Sequence, residues 1–312
     1  MKDYIRIART DHWIKQLFII PGIVLALFLT DERTAHPHIV LRLFFGFAGT
    51  CLIASANYVI NEWLDAPYDR FHPTKKNRPV VTKNLSFKWV IAEYFLLALS
   101  GLFLSHLVNR PFFITAAVLL VMGFLYNVKP FRTKDIPFID VLSESVNNML
   151  RLLMGWFIVT ETSIPPSSVL IGYWMAGAFL MATKRFSEFR MINDKVMASL
   201  YRRSFHFYTE KSLLASSLFY ALISTFCLGV FMVKYRIEYV LATPVMFLLY
   251  SYYLSMALDD DSAVQKPELL YTEKKLMILV AVFVLALTIL TFLDIGILEE
   301  LKSNALIGIS GS

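Results

Sequence analysis

The chain has 312 residues, of which 57% are apolar, only 17% are charged and 26 are phenylalanine. A soluble domain carries about 45–50% apolar and about 25% charged residues, and one soluble core of this length cannot hide so much apolar surface. Disorder, a collagen repeat and a disulfide scaffold are excluded, which leaves an all-α, polytopic membrane bundle. The net charge of +6 then marks cytoplasmic loops or anionic substrates, and no nucleic-acid partner is expected.

The N-terminal stretch MKDYIRIARTDHWIKQ is charged, and the apolar run after it lacks an A-x-A site, so a retained first span is expected in place of a cleaved signal. A helix needs about 20 apolar residues to cross a bilayer. Nine runs meet or approach that: 14–30, 40–61, 88–108, 111–128, 136–160, 163–183, 212–233, 239–258 and 276–298. With a cytoplasmic N-terminus, 23 of the 30 basic residues fall on the inner side and six on the outer side, which fixes the orientation in the cell membrane. Cys51 and Cys227 lie inside apolar runs and read as small buried hydrophobes. One membrane-embedded domain over 1–312 is expected, with long cytoplasmic loops at 62–88, 184–211 and 259–275. Membrane lipids surround it, and a homo-oligomer is compatible with the sequence.

Chemistry is concentrated at the end of the second run, in NEWLDAPYDRFHPTKKNRP, residues 61–79. Asn61, Asp65 and Asp69 are spaced four apart, which stacks them on one helical face with a drift of about 40° per step. Glu62 lies three before Asp65. Three carboxylates and an amide at the mouth of a bundle are costly unless cations occupy them. Such hard oxygens suit Mg²⁺, which bridges carboxylates to substrate phosphates. His72, Lys75, Lys76 and Arg78 follow directly, as donors for phosphate oxygens. A solvated juxtamembrane loop is the competing explanation. Pro67, between Asp65 and Asp69, leads us to expect either that the helix ends near Asp65 or that the metal geometry is altered.

Arg151 is the basic residue deep in a span, seven residues after Glu144 and eleven after Asp140, so that all three can share a face. It is expected to bind an anionic substrate, the alternative being a buried ion-pair set. Lys184, Arg185 and Glu188 close the sixth run. Tyr126 and Lys129 follow the fourth, and Asp259, Asp260 and Asp261 open the last inner loop. Each of these also fits ordinary interfacial anchoring or a solvated charge run.

The 61–79 stretch resembles the first aspartate-rich motif of the UbiA superfamily of intramembrane prenyltransferases, N-x-x-x-D-x-x-x-D, followed by H-P-x-K-x-x-R-P. The chain is most similar to the branch of decaprenyl-phosphate phosphoribosyltransferases. The likeness takes in Arg9, Trp13 and Lys15, then Asp140 and Arg151, the K-R-x-x-E of Lys184, Arg185 and Glu188, and the acidic loop with Asp259 to Asp261, Glu268 and Glu273. Glu62 stands where that branch has aspartate.

The resemblance implies transfer of a 5-phosphoribosyl group from 5-phosphoribosyl 1-diphosphate to a polyprenyl phosphate, with release of diphosphate. It implies Mg²⁺ on Asp65 and Asp69 with Asn61 and Glu62 assisting. Lys75, Arg78, Lys184 and Arg185 would hold phosphates, with Arg151 on the donor, and Lys15 would attract the lipid headgroup. Asp259 and Asp261 would face the first cluster across the bundle, and the Tyr126–Lys129 patch would line the site. Two alternatives are carried. One is a prenyltransferase moving a prenyl group from its diphosphate to an aromatic acceptor. The other, from a different class, is a transporter of an anionic solute or lipid.

Overall fold

The computed structural model describes residues 2–30, 38–259, 262–265 and 267–298. The elements run α1 (Lys2–Ile7), a 3-10 stretch (Thr10–Ile19), α2 (Ile20–Leu29), α3 (Ile39–Asp69), α4 (Pro79–Thr82), α5 (Phe87–Val108), α6 (Arg110–Asn127), α7 (Ile139–Val159), α8 (Ser167–Ile192), α9 (Lys195–Tyr201), α10 (Glu210–Tyr235), α11 (Thr243–Met256) and α12 (Lys274–Phe292). Short 3-10 turns fill several connectors, and there is no strand among the described residues. The all-helical expectation is met, as it must be where water cannot satisfy backbone groups.

Among the described residues, seven helical segments are long and apolar enough to cross a membrane: Asp3–Leu29, Ile39–Asp69, Phe87–Val108, Arg110–Asn127, Glu210–Tyr235, Ile237–Met256 and Lys274–Phe292. The fifth and sixth expected runs form helices too, but α7 and α8 stand outside the seven. They carry Asp140, Glu144, Arg151, Lys184, Arg185 and Glu188, charges that only a helix turned toward the bundle interior tolerates. Accordingly α7 touches α2, α3, α6 and α8, while α8 packs most extensively on α10.

The connectors expected at 62–88 and 184–211 are shorter than those ranges. α3 continues unbroken through Pro67 to Asp69 and α8 runs to Ile192, so the loops 62–88 and 184–211 begin as helix. Pro67 therefore does not end the helix at Asp65. It costs one backbone hydrogen bond near the C-terminal end, and the rest of a 31-residue helix supports it.

The first span crosses α7 with backbones almost touching. A Cβ on Gly22 would lie 1.9 Å from the Leu152 carbonyl oxygen, and one on Gly155 would lie 2.0 Å from that of Ile19. Only glycine permits this approach. The crossing brings the polar end of the first span, Lys15 and Gln16, beside the middle of α7.

Candidate functional site

One end of the bundle, where the connectors after α3, α6 and α9 meet, holds a network of alternating carboxylates and cations. Asp65 sits at its centre. Its Oδ1 accepts from Lys134 Nζ at 2.5 Å and from Arg132 Nη2 at 2.9 Å, and its Oδ2 accepts from Asn61 Nδ2 at 3.2 Å. Asn127 Oδ1, at the end of α6, receives both Asn61 Nδ2 (2.5 Å) and Lys134 Nζ (2.6 Å). Lys134 is 3% exposed, and burial brings its ammonium pKa down to about 8 despite the pull of Asp65. Asp65, Arg132, Lys134, Asp135, Tyr201 and Arg202 line an open cleft here.

One turn on, Asp69 Oδ2 accepts from Arg78 Nη1 at 2.5 Å. Lys75 donates to Glu188 Oε1 at 2.7 Å and to the Tyr201 hydroxyl. Burial works against the Lys75 charge, but Glu188 and Tyr201 outweigh it and hold its pKa above the ordinary lysine value. His72 organises this connector. Its Nδ1 accepts from the backbone N–H of Thr74 and of Lys75, both at 3.2 Å, and its ring meets Tyr201 edge-on at 4.6 Å. Burial and the neighbouring Lys75 charge lower its pKa to about 3, so the ring is neutral. It holds the connector instead of offering a charge to phosphate.

Arg185, 1% exposed, is the hub of the deeper layer. It pairs with Glu144, with Glu188 Oε2 at 3.2 Å and with Asp140 Oδ2 at 3.5 Å. Tyr126 donates to Glu144 Oε2 at 2.7 Å. Asp140 is fully buried, where it accepts from Tyr208 (2.6 Å), Ser204 (3.1 Å) and Arg202 (3.4 Å). Asp140 and Arg185 are thus engaged by protein partners on several sides, with only Arg185 Nε lacking a hydrogen bond among the described residues, and they cement the site in place of the substrate contacts expected of them. Lys184, beside them, makes no hydrogen bond or ion pair among the described residues and lies within electrostatic reach of Glu188, Lys75, Glu144 and Lys15.

The four expected metal ligands are not gathered on one point. Among the described residues no three His, Cys, Asp or Glu side chains form a metal-holding group. Glu62 turns to Arg9, whose Nε donates at 3.0 Å, because consecutive helical residues point about 100° apart. The donor chemistry nevertheless fits a hard cation. Glu62 Oε1 is buried with no hydrogen-bond partner, within electrostatic reach of Asp69, and the charges of Asp65 and Asp69 are met by Arg132, Lys134 and Arg78, which a bound cation would replace.

Other expected residues lie elsewhere. Arg151 joins Gln16 and Asn148, not Glu144 or Asp140. Seven- and eleven-residue spacings share a face, but they separate groups by about 10 and 16 Å along the axis. Lys15 contacts His12 Nδ1 at 3.1 Å. Lys129 and Asp259 are exposed, and no side-chain hydrogen bond or ion pair ties them to the network. Asp260, Asp261 and the Glu268 side chain lie outside the described residues. Sequence reasoning did not single out Arg132, Lys134, Asn127, Tyr201 or Arg202. Arg132 and Lys134 lie just beyond the Tyr126–Lys129 patch, and their position beside the Asn61–Asp65 face is a usable signal.

Residues 18–273 match the model of the UbiA prenyltransferase family. The chain is 29% identical over 205 residues to nodulation protein NoeC of Azorhizobium caulinodans, covering 65% of this chain and 62% of that protein. It is 26% identical over 213 residues to decaprenyl-phosphate phosphoribosyltransferase of Mycolicibacterium smegmatis, covering 67% and 63%. It therefore spans less than two thirds of the length of these curated relatives. A UbiA homolog from Archaeoglobus fulgidus bound to GPP and Mg²⁺ superposes with a TM-score of 0.68 at 20% identity, over 93% of this chain and all of that one. The fold is shared, the family match covers most of the chain, and the charged site lies at one end of the helices as the motif requires: the chain is an integral membrane protein and belongs to the UbiA prenyltransferase family.

Proposed function

We propose that this protein is a single-domain membrane transferase that moves a 5-phosphoribosyl group from 5-phosphoribosyl 1-diphosphate to a polyprenyl phosphate and releases diphosphate. The observation that carries the reading is the supply of cations to one small site. Lys75 and Arg78 come from the connector after α3, Arg132 and Lys134 from the connector after α6, and Arg202 from the connector after α9. A sugar donor with a diphosphate and a 5-phosphate needs more cationic donors than an isoprenoid diphosphate does. The similarity to decaprenyl-phosphate phosphoribosyltransferases supports the same reading.

The lipid phosphate oxygen is already anionic, so its lone pair attacks C1 of the ribose without a strong general base. The C1–O bond to diphosphate breaks as it does so, C1 develops oxocarbenium character, and inversion at C1 is expected. Asn61, Glu62, Asp65 and Asp69 would hold Mg²⁺, which supplies charge stabilisation for the departing diphosphate. Arg132, Lys134 and Arg78, which now neutralise Asp65 and Asp69, are the donors nearest a diphosphate placed there. Lys184 is open to the sugar's phosphate. His72 and Tyr201 hold the connector that brings Lys75 and Arg78 in. The 23 basic residues on one side support a site on the cytoplasmic face with the N-terminus on the same side.

Purified protein in liposomes with Mg²⁺ should release diphosphate from the ribosyl donor only when polyprenyl phosphate is present, and a chelator should stop it. Release driven instead by a prenyl diphosphate and an aromatic acid would replace this reaction with prenyl transfer.

A further inference from the structure

Midway along α7 there is a half-buried cation with no counter-charge among the described residues. Arg151 Nε donates to Gln16 Oε1 at 2.8 Å and Nη1 to Asn148 Oδ1 at 3.2 Å. Both partners are neutral amides, and Nη2 makes no hydrogen bond among the described residues. The other groups that interact electrostatically with it are Tyr58, Tyr173 and Cys51, none of them a carboxylate. Among the described residues no carboxylate pairs with Arg151. Gln16 is fully buried, and its Nε2, on the carboxamide that grips the guanidinium, has no hydrogen-bond partner. An unpaired charge and an unsatisfied N–H₂ side by side within the bundle are both costly, and one oxyanion would satisfy both.

The position suits the second substrate. Arg151 lies eleven residues beyond Asp140, about 16 Å farther from the inner face. The donor's diphosphate, its C1 and an attacking phosphate about 3 Å away would span most of that distance. Trp13 and Leu17, beside Gln16 in the first span, are 41% and 51% exposed and turn an apolar surface outward. A ligand with a long apolar tail can therefore arrive laterally from the bilayer. Asn148 fixes the guanidinium, and the glycine crossing at Gly22 and Gly155 fixes the depth of Gln16.

We propose that Arg151 and Gln16, oriented by Asn148, form the site for the phosphate head of the acceptor lipid, separate from the donor site at the inner face. The proposal rests on the reading of the reaction given above, and its test separates the two. Binding to the purified protein is measured for decaprenyl phosphate, decaprenol, inorganic phosphate and 4-hydroxybenzoate, and separately for 5-phosphoribosyl 1-diphosphate with Mg²⁺. Decaprenyl phosphate should bind at least about tenfold more tightly than decaprenol, since a charged hydrogen-bonded pair is at stake. Arg151→Met and Gln16→Glu should each remove that advantage while donor binding stays within about twofold of wild type. Gln16→Glu is the variant that keeps the fold, because its carboxylate would neutralise Arg151 from within and exclude the lipid phosphate.

Wild-type lipid affinity in Gln16→Glu, equal binding of decaprenol, saturation by inorganic phosphate alone, or tighter binding of 4-hydroxybenzoate would each overturn the proposal. Lipid binding that behaves as expected, with no donor binding even in wild type, would instead overturn the ribosyl-transfer reading and leave the anion site standing.

Discussion

The network at the end of the bundle and the Arg151 site use the same kinds of side chain to opposite ends. In the network Asp65, Asp69 and Glu188 each meet one or two cations at 2.5–2.9 Å. Deep in the bundle Arg151 meets only amides. A charge with an internal partner holds its position before substrate arrives and must exchange that partner to bind. A charge with none has nothing to exchange. The difference suggests where multivalent, metal-assisted phosphate is received and where a single anionic headgroup is received.

The largest effect should come from breaking the partnered side at its hub. Arg185→Met leaves Asp140, Glu144 and Glu188 facing one another with their shared cation gone. Removing one member of a buried ionic set costs roughly 3–5 kcal/mol, so the variant should fail to give a monodisperse peak on gel filtration in detergent. A stable, well-folded variant would show that the hub is dispensable.

Next is Asp65→Asn. It keeps the shape but weakens the hold on Lys134 and Arg132 and removes a hard oxygen charge. Diphosphate release should fall by roughly 10²–10³-fold, the usual loss for a preorganised electrostatic group, while lipid phosphate binding at Arg151 is unchanged. A parallel loss of both would mean that the two regions are one site.

How much of this contrast was readable in the chain depends on sequence distance. The Asn61–Asp65 pairing follows from a four-residue step on one helix, and Asp69 with Arg78 is nine residues apart, within one helix end and its connector. The partners of Asp65 at Arg132 and Lys134 are 67 and 69 residues away. Only the packing of α3 against α6 and its connector brings them together. Glu62 was placed with Asp65 by counting, but its direction on the helix sends it to Arg9. Arg151 was grouped with Glu144 and Asp140 because they share a face, and periodicity is blind to the axial distance that separates them. Apolar runs located the helices well because burial in lipid acts on every residue. They located α7 and α8 as helices too, although the charges on their inward-looking faces keep these two outside the seven most apolar segments.

The partnered region should also show its burial in pH. The His72 pKa is lowered to about 3 by burial, against about 6.5 in an unfolded chain. Between those values the unfolded state binds the extra proton, so the contribution of neutral His72 is complete above about 6.5 and declines as pH falls toward 3. Thermal melts at pH 8 and pH 5 should show wild type losing more stability on acidification than His72→Gln, which keeps an acceptor for the Thr74 and Lys75 N–H groups but does not titrate. Equal losses would mean that the connector is solvated and that His72 does not hold it.

The smallest effect should be on the opposite side of the bundle, and it tests whether pairing alone explains the inner network. Arg42 and Glu161 form an ion pair between α3 and the segment after α7. The Glu161 side chain is 43% exposed there. Water already solvates such a pair and side-chain entropy opposes it, so its worth is about 0–1 kcal/mol. Glu161→Gln should therefore leave both melting and diphosphate release close to wild type. If it instead destabilised the protein as much as Arg185→Met, burial would not be what separates the two pairs, and the inner network's strength would need another cause. The expected gap between these two substitutions measures what desolvation adds when the same two charge types are moved from an exposed connector to the interior of the bundle.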